Sequence, residues 1–110
     1  MTKREANLLL RGMYRVLRDS HPVFKFDSGL DCYGEIRHDY DIEYQYRPVI
    51  VVNPRRQNKG GIISTIIHEL LHSLRADTPE CAILKQEKQM FRLLTDRQLK
   101  NLMKKVMEKF

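Results

Sequence analysis

Apolar residues recur along this chain with two different periods, and each change of period marks a new element. Ala6, Leu9, Leu10, Met13, Val16 and Leu17 repeat at helical spacing. That pattern predicts an amphipathic helix over residues 3–18 with those six side chains toward the core. Thr2 and Glu5 have capping-box spacing, in which hydroxyl and carboxylate each satisfy a free backbone N–H. Asp19-Ser20-His21-Pro22 ends the helix, because proline disfavours helical backbone in the residue before it.

The period then shortens. Val23-Phe24-Lys25-Phe26 predicts a short strand and Asp27-Ser28-Gly29 a turn. Residues 32–36 form a second candidate strand. Ile42, Tyr44 and Tyr46 alternate with Glu43 and Gln45, the pattern of a strand buried on one face. Val49-Ile50-Val51-Val52 is a continuous apolar run closed by Asn53-Pro54, and residues 55–61 are a polar, glycine-containing loop. A second helix is expected over residues 62–75; its isoleucines also suit a strand, but the length and the Glu-Leu-Leu that follows favour helix. Thr78 is expected to cap a third helix with Pro79 at its first position and Glu80 next, where negative charge suits the helix dipole. Thr95, with Gln98 three residues on, caps a fourth. The order predicts one α+β domain over residues 1–110, with a small antiparallel or mixed sheet.

Composition narrows the class. The 110 residues suit one domain, and 42% hydrophobic with 31% charged residues is too apolar for a disordered chain. No apolar run approaches the roughly 20 residues of a membrane span. The first residues offer only a three-leucine run broken by Arg11, far short of a signal-peptide core. A cytoplasmic protein without a membrane partner is expected. Cys32 and Cys81 form no CxxC pair, which excludes a disulfide scaffold or a four-cysteine zinc site. The net charge is +6, yet residues 27–46 carry six acids against Arg37 alone. The bases are spread along helices rather than gathered in one run, which supports nucleic-acid binding only weakly.

Residues 68–72 read His-Glu-Leu-Leu-His. Side chains four apart on a helix share a face, so His68 and His72 can converge on one zinc ion. Glu69 is a quarter-turn round and can reach a water on that ion. Zinc draws the pKa of such a water toward neutrality, and the carboxylate can take its proton as it attacks a carbonyl.

Here the sequence resembles the zincin metallopeptidases. Their core is a small sheet, whose edge strand can pair with a peptide, followed by the HExxH helix and a further helix. The resemblance covers roughly residues 48–91 and implies a minimal zincin. The metzincin pattern HExxHxxGxxH is absent, since Arg75 and Thr78 stand where its glycine and third histidine would be, and no histidine follows His72. The resemblance therefore implies an acidic third ligand from the next helix, as in gluzincins, although NExxSD does not occur. Glu80 and Glu87 are the candidates, seven residues apart on one helix face alongside Leu84 and Phe91. Folding the two helices about residues 76–77 puts each about one turn from the histidines. Packing beside Leu84, Phe91 and Leu94 favours Glu87 slightly, and Asp77 is an outside candidate.

Other polar groups carry less. His21 reads as a loop residue, His38 as a turn residue, and Tyr40, Tyr44 and Tyr46 as packing residues, with donation to an oxyanion as the alternative role. Cys81 reads as a small core or boundary residue. The function expected is a zinc-dependent metallopeptidase acting on a peptide or protein substrate, with His68, His72 and Glu87 or Glu80 on Zn2+ and Glu69 as general base. The basic flanks favour an acidic or nucleic-acid-associated substrate. The alternative is a non-catalytic zincin-shaped module that binds protein or nucleic acid, its zinc structural or absent.

Overall fold

A computed structural model describes residues 1–37, 47–57 and 60–110. It is an α+β domain with four helices and a three-stranded mixed sheet, in the order α1 (Lys3–Asp19), β1 (Val23–Phe26), β2 (Gly34–Arg37), β3 (Val49–Val52), α2 (Gly61–Leu74), α3 (Glu80–Leu93) and α4 (Asp96–Met107). Among the described residues no helix is long and apolar enough to cross a membrane.

β3 is the central strand, parallel to β1 (Val23 opposite Val49) and antiparallel to β2 (Gly34 opposite Val52). The side-chain chemistry explains the order. All four β3 residues are apolar and buried, whereas β1 carries Lys25 and β2 carries Glu35 and Arg37. Charges of this kind keep an edge strand soluble and are not tolerated in the middle of a sheet. The second strand begins at Gly34 rather than Cys32. The strand expected around Ile42, Tyr44 and Tyr46 lies outside the described residues.

α2 packs against α1, α3, β2 and β3. Ser64, Thr65, Ile66, Ile67, Glu69, Leu70 and Leu71 are all buried, so burial on several sides decides the ambiguity that its isoleucines create in favour of helix. Its first residue, Gly61, has φ 72°, a conformation that a side chain would strain. α1 buries Ala6, Leu10, Met13 and Leu17, with Leu9 and Val16 only partly covered. The Thr2 hydroxyl accepts from the Glu5 N–H at 3.2 Å. Thr95 and Gln98 form the full reciprocal box on α4, and Gln98 Nε2 also donates to Asn7 Oδ1 at 2.9 Å, tying α4 to α1.

α3 departs from expectation in two ways. Pro79, not Thr78, occupies the N-cap position, and no side chain caps the helix there. The buried face is Ile83, Glu87 and Met90, so Leu84 points to solvent at 41% exposure and Cys81 is exposed rather than packed. The helix is turned by about one residue from the face expected, because Ile83 outcompetes Leu84 for the contact with α2.

β2 crosses α2 closely at Gly34. A Cβ there would lie 2.6 Å from Thr65 Cγ2 and 2.9 Å from the Val51 carbonyl oxygen, and the second is backbone that cannot rotate away. Gly34→Ala is therefore expected to destabilise the fold by about 2 kcal/mol, as overpacking does. Thermal melting checks this, with a fall of roughly 10 °C expected for a domain of this size.

Candidate metal centre

α2 supplies both imidazoles from one face. The His68 and His72 rings meet edge to face with centroids 4.8 Å apart, and their Nε2 atoms are 3.1 Å apart. A neutral imidazole has one N–H and one lone pair, so two ring nitrogens this close need a proton or a cation between them. Glu80, the first residue of α3, reaches both: Oε1 is 2.7 Å from His68 Nε2 and Oε2 is 2.6 Å from His72 Nε2. One ligand atom from each of the three residues falls within 4.8 Å of the others.

This donor set fits zinc. A tetrahedral ion with bonds of about 2.0–2.1 Å holds its ligand atoms about 3.3 Å apart. The two Nε2 atoms stand slightly closer than that, at 3.1 Å, so a small outward movement admits the ion. Glu80 is 60% exposed in its side chain and free to make it.

Glu87 lies two turns along α3 and is 4% exposed. Its Oε1 is 3.4 Å from His68 Nδ1, on the other side of the ring from Glu80. A carboxylate there holds the proton on Nδ1 and leaves the Nε2 lone pair facing His72 and Glu80. Burial pulls the His68 pKa down, but the hydrogen-bonding Glu87 and the charges of Glu80 and Glu69 outweigh it, and the net shift is upward.

Glu69 is 5% exposed, and among the described residues nothing hydrogen-bonds its carboxylate. Burial pushes its pKa up to about 7 in the metal-free chain; His68 opposes this, while Glu80, Glu35 and Glu87 add to it. A base poised near neutrality is well matched to taking and returning a proton.

Two hollows flank His68 and Glu69. One, of about 150 Å³, is walled by Tyr33, Gly34, Thr65, Leu84 and Glu87; the other by Glu35, Ile36, His72 and Ala76. Both include Gly34, His68, Glu69 and Glu80, so together they make one cleft that follows β2. The loop after β3 fixes the wall of that cleft. Buried Asn53 donates through Nδ2 to the Leu30 carbonyl at 2.8 Å, and its N–H donates to the Tyr33 carbonyl at 2.9 Å. Gln57 Nε2 donates to the Tyr33 carbonyl at 3.3 Å, and Gln57 Oε1 accepts from the Thr65 hydroxyl at 2.7 Å. The Tyr33 segment is thereby tied to α2.

Thus His68, His72 and Glu80 come together, Glu69 and Glu87 border them, and Asp77 is exposed outside the group. His21 is an exposed residue of the turn before β1, with φ 45°. His38, Tyr40, Tyr44 and Tyr46 lie outside the described residues. Tyr33, Thr65, Asn53 and Gln57 were not anticipated from the sequence, where only the Asn53-Pro54 pair, read as a strand end, offered any signal; Leu84 was expected on the face of Glu80 and Glu87, but as a packing residue.

No family model, curated protein or solved structure matches this chain.

Proposed function

We propose that this chain is a zinc-dependent metallopeptidase. The observation that carries the reading is the convergence of two Nε2 atoms 3.1 Å apart with a carboxylate that reaches both, beside buried Glu69, which has no hydrogen-bond partner among the described residues. His68, His72 and Glu80 are the residues that would hold the ion. Glu87 is a positioning residue that orients His68 through Nδ1. A bound zinc ion supplies Lewis acidity, drawing the pKa of a water toward neutrality. Glu69 takes the proton from the attacking water as its oxygen bonds to the scissile carbonyl carbon. The same carboxylate then returns a proton to the amide nitrogen as the C–N bond breaks, leaving a free acid and a free amine. The cleft along β2 presents the peptide to that carboxylate, and β2, the last strand of the sheet among the described residues, suits an extended substrate.

The test is metal analysis of the purified wild type beside Glu80→Gln and Glu87→Gln, paired with cleavage of a fluorogenic peptide library. One zinc per chain is expected for the wild type, with chelator-sensitive cleavage. Glu80→Gln should lose zinc affinity strongly, and Glu87→Gln by about 10- to 100-fold, the usual cost of removing a carboxylate that orients a ligating histidine. Zinc loss confined to Glu87→Gln would exchange the two roles. A zinc-loaded wild type that cleaves nothing, yet loses stability on chelation, would replace the peptidase with the non-catalytic module.

A further inference from the structure

The chain is basic, with 20 Lys and Arg against 14 Asp and Glu, but its cleft is not. Among the described residues neither hollow is lined by a lysine or arginine, while Glu35, Glu69, Glu80 and Glu87 all contribute. Two of these charges are answered within the fold: Glu35 pairs with Arg37, and Glu80 with the two imidazoles. The other two are not fully answered. Glu69 and Glu87 are 5% and 4% exposed; among the described residues Glu69 has no hydrogen-bond partner and Glu87 meets only His68 Nδ1, at 3.4 Å. Glu87 lines the cleft, where a cation brought by a ligand can pair with its carboxylate.

We propose that the cleft selects peptides with a lysine or arginine beside the scissile bond, seating that side chain in the hollow between Tyr33, Leu84 and Glu87. This rests on the peptidase reading and names its substrate class. The hollow suits such a side chain at both ends. Tyr33, Leu84 and the Thr65 methyl give apolar walls for the methylene stem, and Glu87 gives a counter-charge for the head. An acidic side chain in the same place would face Glu87 and be rejected by like charge. The overall charge attracts acidic ligands to the outer surface, but the residue beside the bond is chosen by the cleft wall.

The experiment uses zinc-loaded protein and three peptides that differ at one position beside the intended bond: lysine, norleucine (a similar length without the charge) and glutamate. Binding is read by fluorescence anisotropy on Glu69→Gln, and cleavage as kcat/KM on the wild type. Lysine is expected to exceed norleucine by about tenfold or more in both, with glutamate weakest. Leu84→Lys, at an exposed helix position that tolerates charge, should lower the lysine-to-norleucine ratio about fivefold or more. Norleucine equal to or above lysine, or a ratio that Leu84→Lys does not move, overturns the proposal. Cleavage without charge preference sinks this inference and leaves the peptidase standing. Charge-selective binding to a wild type that never cleaves sinks the peptidase and leaves the hollow as a cation-binding site.

Discussion

Glu69→Gln is expected to move activity and stability in opposite directions. Removing a positioned general base costs about 10²–10⁴-fold in rate, so cleavage should fall by that factor while zinc content stays near one per chain. Under a chelator the same variant should be more stable than the wild type at neutral pH. Folding raises the Glu69 pKa from 4.5 to about 7, so the folded state disfavours the charged form. For such an acid the penalty is absent below the unfolded pKa. It grows as pH rises through the window from 4.5 to about 7 and is constant above it. At 1.36 kcal/mol per pKa unit the full gain for the glutamine variant is about 3 kcal/mol. Urea melts of both proteins in chelator, at pH 5 and pH 8, measure it. The variants should be closest at pH 5, and a difference that is equal at the two pH values would show that Glu69 is not a buried charge.

The second large effect concerns the two imidazoles. A ligand that binds only the folded chain adds about 2.7 kcal/mol at 100 times its dissociation constant and about 4.1 at 1,000 times. For a domain of this size that is a rise in Tm of more than about 10 °C. The wild type should show this rise with zinc and lose it with chelator. His68→Ala and His72→Ala should melt at one temperature in both, since each removes an Nε2 from the group of three. A wild type whose melting ignores zinc would show that the convergence of His68, His72 and Glu80 is a hydrogen-bonded cluster and nothing more.

Much of this arrangement is written locally in the chain. The helical face of α1, the box at Thr95 and Gln98, and the apolar run of β3 each need only a few neighbouring residues to be recognised. The pairing of His68 with His72 is equally local, because one helical turn fixes it. What could not be read locally depends on distant contacts. β1 lies parallel to β3, and no short-range pattern distinguishes that from an antiparallel hairpin. The relation of Glu80 and Glu87 to the histidines depends on how residues 75–79 turn and on Ile83 rather than Leu84 facing α2. One residue of rotation leaves Glu87 on the buried face, as packing suggested, and directs it to Nδ1, while Glu80 reaches the two Nε2 atoms from the end of the helix. The wall of the cleft needed Asn53 and Gln57 to meet Tyr33 and Thr65 across some twenty residues and eight residues respectively.

The strand order has a consequence for how the molecule is made. β1 and β2 precede β3 in the chain, yet each is hydrogen-bonded to β3 and not to the other. In a nascent chain that has emerged only as far as Arg47, β1 and β2 therefore still lack the strand that joins them, and α2 follows a short loop behind it. Non-local pairing of this kind is slow to form. The cleft along β2 cannot take shape on the ribosome before the middle of the sheet arrives, so its wall is assembled only once Val52 has emerged.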